Sequence, residues 1–274
     1  MTAAQELPNP FFSPRRVGSM ALRYLYLLRG SWPRILELAY WPTVQMVLWG
    51  FITQFLASNS SYIAQAFGIL LSGVLLWDVL FRGQLGVTIS FLEELWSRNL
   101  GHLFVSPLRP LEMVCAMLFM SLVRTLIGFV PASLLAIMFF DYSMYGMGLP
   151  LVGFFFTVII TGWAVGLAIA GILLRQGLGA ESLAWLVVFA IAPISGIYYP
   201  ISVLPDALQV LAWCLPSAYA FEGMRAVLVD GVFRADLMWM GLGLNLIYLA
   251  AGMAVFMICF RLARLRGQLL QMGE

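Results

Sequence analysis

CAMLFMSLVRTLIGFVPASLL, residues 115–135, holds a single charged side chain, Arg124, in an otherwise apolar or small-residue run. The hydrocarbon core of a bilayer is about 30 Å thick, so roughly 20 such residues cross it as a helix rising about 1.5 Å per residue. Worked outward, the same ruler gives six spans, near 34–57, 62–81, 111–140, 149–174, 182–200 and 238–260. Composition agrees, because 274 residues that are 62% hydrophobic and 10% charged carry too little charge for a water-soluble surface. Mean hydropathy is +0.93. Continuous apolar runs of helix length favour an α-bundle over a barrel, whose strands alternate over about ten residues. The reading is an all-α polytopic membrane protein, anchored by its first span without a cleavable signal peptide.

Arg sets the expected orientation, since no Lys is present. Arg15, Arg16, Arg23, Arg29 and Arg34 precede the first span or open it, and Arg82, Arg98 and Arg109 fall between the second and third. Arg175 follows the fourth, and Arg261, Arg264 and Arg266 close the last. Those segments are expected in the cytoplasm, with both termini on that side; the opposite loops carry Arg225 and Arg234. The net charge of +2 gives no sign of a nucleic-acid partner. Cys115, Cys214 and Cys259 show no CxxC spacing and read as small buried hydrophobes.

Three segments outside the spans have helical patterns. In SPRRVGSMALRYLYLLRG, within a cytoplasmic segment 1–33, Val17, Met20, Ala21, Tyr24, Leu25 and Leu28 share one face, and Arg16, Ser19 and Arg23 lie on the other. That suits a helix lying in the headgroup layer, or an extension of the first span. Residues 92–104 place Leu92, Leu95, Trp96, Leu100, Leu103 and Phe104 on one side, and Glu93, Glu94, Ser97, Arg98 and His102 on the other. Pro107 and Pro110 then end the element. The third segment, 193–230, is cut by Pro193, Pro200, Pro205 and Pro216 into helices too short to cross, which predicts a re-entrant hairpin in the outer leaflet. Together these divide the chain into 1–33, a transmembrane domain 34–262 and a cytoplasmic tail 263–274.

Catalytic motifs are missing. A sequence without Lys cannot contain GxxxxGK[ST], and a single His cannot form HExxH or a His-rich metal site. No set of acid, base and nucleophile assembles for a membrane enzyme. Arg124 is the conspicuous intramembrane charge, because an Arg at a helix centre costs about 2.5–3.5 kcal/mol on insertion scales. It reads either as a cation lining a conduit or as one half of an interhelical pair with a carboxylate such as Asp78 or Glu222. Asp78 precedes Arg82 by four residues near the inner end of the second span, where a local pair would let Arg82 reach the interface. Glu222 and Arg225, three apart on the hairpin, can pair in the same way or act at a gate. Tyr198, Tyr199 and Tyr219 crowd the outer connection as an interfacial belt or as stacking groups.

SPRRVGSMALRYLYLLRG, FLEELWSRNLGHLFVSPLRPLE and YYPISVLPDALQVLAWCLPSAYAFEGMRAVLVDG, spaced around six spans, together resemble the membrane subunits of type-2 ABC exporters. The resemblance implies that 92–104 is a coupling helix seated in a separate ATPase. Glu93, Glu94, Ser97, Arg98 and His102 would then contact the ATPase, while Trp96 and Leu100 anchor the helix to the bundle. It also implies two permease copies, two ATPase subunits that bind the ATP and Mg, and an outer gate built from Tyr198, Tyr199, Tyr219, Glu222 and Arg225. No cofactor is expected on this chain itself. The rival reading is a stand-alone channel or ion-coupled carrier that uses Arg124 and Asp78. The substrate expected from such apolar spans is amphipathic or lipid-like, a drug, a lipid or a lipid-linked glycan, and the expected location is the inner (plasma) membrane.

Overall fold

The computed structural model describes residues 12–59 and 61–266, and no strand occurs among them. Ten α-helices follow in order: α1 Pro14–Arg29, α2 Trp32–Asn59, α3 Ser61–Trp96, α4 Leu100–Val105, α5 Pro110–Phe140, α6 Leu149–Gln176, α7 Leu183–Ile191, α8 Asp206–Trp213, α9 Pro216–Val229 and α10 Ala235–Leu265. Proline opens α1, α5 and α9, where its missing N–H removes no helical bond and its fixed φ suits the first turn. The described part of the expected 263–274 tail ends with α10, and residues 267–274 lie outside the described residues.

Five helices are long and apolar enough to cross a membrane: α2, α3, α5, α6 and α10. The fifth expected span, 182–200, is not one of them. Its apolar helix covers only Leu183–Ile194, about 18 Å of rise, and the chain turns at Pro193 and at Gly196, whose φ is +70°. Close glycine contacts fix the helix directions. Gly83 and Gly166 of α3 and α6 meet Ile159 and Val87 in parallel register, and Gly171 and Gly241 bring α6 and α10 together, again in parallel. Gly86 against Ser121, followed by Gly128 against Arg82, makes α5 antiparallel to α3. Parallel α6 and α10 require the chain between them to return across the bundle. That return is made in pieces, beginning with α7. The start of α2 and the end of α10 therefore lie at one end, called the base here; α8 and α9 lie at the other, the top.

Two other expectations change. The second span does not stop at 81, because α3 runs unbroken to Trp96, so Asp78 and Arg82 sit well inside a 36-residue helix. Their predicted local pair does form, with Arg82 Nε donating to Asp78 Oδ2 at 2.7 Å. The α1 face expected to lie in headgroups is covered by protein instead. Met20, Ala21, Tyr24 and Leu28 join a core with Leu92 and Leu95 at the end of α3, Leu100 of α4, and Met113 and Met117 at the start of α5. Leu22, Tyr26 and Leu27 are left exposed. Of the cysteines, all free, only Cys259 is buried; Cys115 and Cys214 are exposed on the chain.

Backbones approach closely where glycines line the α3–α6–α10 seams, the packing small residues permit in bilayers. Polar pins add to this packing: Asn245 of α10 donates to the Thr157 carbonyl of α6 at 2.8 Å, and Ser121 of α5 donates to the Gly83 carbonyl of α3 while accepting from Trp163 Nε1 of α6. A Cβ on Gly162 would press into the Leu80 carbonyl oxygen and lie 2.8 Å from the Gln84 nitrogen, both backbone atoms that cannot rotate away. Gly162→Ala is therefore expected to cost about 1–3 kcal/mol and lower the thermal midpoint of the purified protein. Gly243→Ala, which meets nothing within 4 Å, should leave it unchanged. Equal midpoints for the two variants would contradict this packing.

A candidate coupling site at the base

α3 ends without glycine or proline. Arg98 takes the left-handed conformation, φ +53°, its N–H bonds to the Leu95 carbonyl at 3.0 Å, and the Asn99 N–H reaches the Glu94 carbonyl at 3.0 Å. This is a Schellman closure with Arg where Gly is usual. The expected helix 92–104 is thus two pieces, the end of α3 and the six-residue α4, joined by a bend at residues 97–99.

The bend turns the two adjacent carboxylates inward. Successive residues on a helix point about 100° apart, so Glu93 and Glu94 meet different neighbours. Glu94, 1% exposed, accepts from both terminal nitrogens of Arg23 on α1 at 2.7 and 2.9 Å, and its Oε2 also accepts from Asn99 Nδ2 at 2.8 Å. Glu93 bridges Arg34 of α2 at 3.2 Å and Arg124 of α5 at 3.0 Å. Arg124 is therefore internally paired, though with Glu93 rather than Asp78 or Glu222. Side chains lean toward a helix's N-terminus, which brings these two together across antiparallel α5 and α3. A third carboxylate, Glu112 at the start of α5, is fully buried and accepts from Arg16 of α1 at 2.6–3.0 Å, from the Ser13 N–H and from the Arg109 N–H. Beside this cluster, burial and then the Glu94 charge push the Tyr24 phenol well above the ordinary tyrosine value, keeping it neutral.

The five residues expected to contact the ATPase separate into two groups, and the two expected anchors differ in burial. Glu93 and Glu94 do not share an outer face with Ser97, Arg98 and His102; they are held in the interior by ion pairs from other helices. Trp96 was expected to anchor the segment but is 49% exposed, whereas Leu100, 2% exposed, does lie in the core. Ser97, Arg98 and His102 are exposed around the bend and on α4. Sequence reasoning missed Arg16, Arg23, Arg34, Asn99 and Glu112 as parts of this site. The available signal was Arg16 and Arg23, seven residues apart and so two turns along one face of a helix whose opposite face is apolar.

At the top, Glu222 Oε1 accepts the Ile201 N–H at 2.7 Å and pairs with Arg225 at 2.9 Å. Arg225 also donates to the Gly196 and Tyr199 carbonyls, so the α9 pair pins the loop that follows α7. Tyr198 stacks on Trp49 of α2 with centroids 4.8 Å apart, Tyr219 meets Trp213 edge-on at 5.1 Å, and the Tyr199 hydroxyl donates to the Pro193 carbonyl. Arg124 and the top residues do not converge on one site.

Removing one member of a buried pair strands its partner, while removing both need not. Arg23→Met is therefore expected to destabilise the purified protein by about 1–3 kcal/mol, more than Arg23→Met with Glu94→Met. A thermal midpoint for the double variant at or below that of the single one would argue against a buried Glu94 that depends on Arg23.

Among curated proteins none matches this chain. Residues 27–229, which run from α1 through α9 and include the bend, the buried carboxylates and the pinned top loop, match the family described as ABC-2 type transporter. Members of that family are membrane permeases of ABC transporters and normally work with an ABC ATPase. A multi-pass α-bundle matched over most of its length, with no nucleotide-binding motif of its own, belongs to the ABC-2 type transporter family as a permease.

Proposed function

We propose that this chain is the permease subunit of an ATP-driven exporter, which moves an amphipathic or lipid-like compound out of the cytoplasm or the inner leaflet. The base faces the cytoplasm of an inner (plasma) membrane. Two copies of the permease work with two ATPase subunits, which bind the ATP and Mg. The observation that carries this reading is a protruding edge beneath the bundle. Trp96 is 49% exposed, Val105 on α4 is 85% exposed, and Ser97, Arg98 and His102 are exposed beside them. A large aromatic left exposed at the end of a spanning helix is the kind of anchor that fills a partner's pocket. Orientation is supported by the Arg distribution, with Arg15, Arg29, Arg98, Arg175, Arg261 and Arg264 at the base and Arg225 and Arg234 at the top.

Several features bear on substrate and direction. The spans offer few polar groups that are not already engaged in helix pairing, which favours a mainly apolar cargo. The top loop is tied to α9 through Glu222 and Arg225, and release of that tie is the simplest way to open the top. A carrier driven by an ion gradient would need Arg124 or Asp78 available to a substrate or proton. Each is held in an ion pair, by Glu93 and Arg82 respectively.

Co-purification with the ATPase subunit tests the contact. Trp96→Ala combined with Arg98→Glu is expected to weaken association by about ten-fold or more while the permease itself remains intact. Val232→Ala, an exposed residue at the top, should have no effect. Undiminished association and ATP turnover in the Trp96 and Arg98 variant would remove this edge as the docking surface.

A further inference from the structure

The two buried carboxylates at the base, Glu94 and Glu112, flank one short element. Glu94 lies immediately before the bend that leads into α4, and Glu112 lies in the first turn of α5, just after the 106–109 connection that leaves it. Both are bound by the same helix. Arg23 takes Glu94 with two parallel charge-assisted bonds, and Arg16 takes Glu112 through Nε and a terminal nitrogen. The two arginines are seven residues apart, about 10.5 Å along α1. α4, at Leu100–Val105, is thus held at its entrance and its exit by one straight strut. We infer that α1 is the element that moves with α4, with Arg23 and Glu94 as the positioning residues that make the two travel together.

Four observations carry this inference. Glu94 is too buried to meet a partner protein, and both its oxygens are already occupied, so it is not a docking residue. Asn99 reaches Glu94 from the far side of the left-handed Arg98, so a side-chain bond crosses the one sharp bend between α3 and α4. A bend closed that way transmits displacement instead of absorbing it. Next, the apolar face of α1 is seated on the bundle through Met20, Tyr24 and Leu28, so movement of α1 repacks the same core that holds α3 and α5. Last, Glu93 ties the same turn of α3 to α2 and α5 through Arg34 and Arg124, so the displaced unit includes two spanning helices. Stability alone does not explain the arrangement. A buried pair is seldom more stable than the apolar residues that could replace it, whereas a bidentate pair with a third hydrogen bond fixes direction as well as distance.

The inference rests on the reading of α4 as the ATPase contact, and the test separates the two. Spin labels are placed pairwise by Val105→Cys with Leu265→Cys, and by Tyr26→Cys with Leu265→Cys, in a chain whose Cys115, Cys214 and Cys259 are changed to Ser. All three labelled positions are exposed. Distances are measured in the intact permease–ATPase complex without nucleotide and after trapping with Mg-ATP and vanadate. Both pairs are expected to change by about 2 Å or more on trapping. In Arg23→Met with Glu94→Met, the 105–265 change should persist while the 26–265 change falls to less than about half, and Arg23→Glu with Glu94→Arg should restore it. A 26–265 distance that ignores nucleotide in the otherwise native complex while 105–265 responds overturns the strut. A 26–265 change that survives loss of both charges overturns the positioning role of Arg23 and Glu94. No change in 105–265 in the otherwise native complex removes the lever reading of α4, and the strut with it.

Discussion

Charge inside a largely apolar bundle needs a partner, and at the base three carboxylates pair with four arginines that range from nearly buried Arg124 to half-exposed Arg34. Glu93 and Glu94 are the centre of the arrangement. Being neighbours on α3, they point about 100° apart and so recruit Arg23 from one side and Arg34 and Arg124 from the other. Glu112 holds Arg16 at the start of α5. Between them these contacts join α1, α2, α3 and α5 within the last turns of the membrane domain. Arg124, costly in isolation, becomes tolerable because its side chain leans toward the base and meets Glu93.

The remainder of the bundle is held by a different kind of contact. α3, α6 and α10 touch through glycines that bring backbones together, with Ser121, Trp163, Thr161 and Asn245 closing short polar bridges. Close backbone packing resists sliding, since interiors at crystal-like density repack in steps. The top is restrained by a smaller device, the Glu222–Arg225 pair gripping the loop that follows α7. Base and top therefore each depend on ion pairs, between distant segments at the base and within one turn of α9 at the top.

Local order was readable in the sequence, and partnership between distant segments was not. The all-helical membrane class, the Asp78–Arg82 pair and the family resemblance followed from hydropathy, spacing and short motifs. The bend at 97–99 escaped because no Gly or Pro marks it; Arg98 adopts the left-handed conformation at a steric cost that tertiary contacts must cover. Glu93 and Glu94 fell on the polar side of a helical period and were read as facing water or a partner. Periodicity separates polar from apolar but cannot tell a solvated carboxylate from one met by Arg on a helix 60 or 70 residues away. The face of α1 was identified correctly and given the wrong neighbour, since an amphipathic helix fits a bilayer or a protein surface equally well by pattern. The segment 182–200 crosses in pieces and not as one helix, because its apolar composition continues through Pro193 and Gly196, where the backbone turns.

The most direct measurement is an experimental structure of this permease bound to its ATPase, at a resolution that shows side chains. Residues 96–102 should lie in a cleft of the ATPase, with Glu93 and Glu94 turned away from it and bonded to Arg34, Arg124 and Arg23. Carboxylates of Glu93 and Glu94 reaching into the ATPase, with those arginines released to solvent, would contradict a base held together by buried ion pairs.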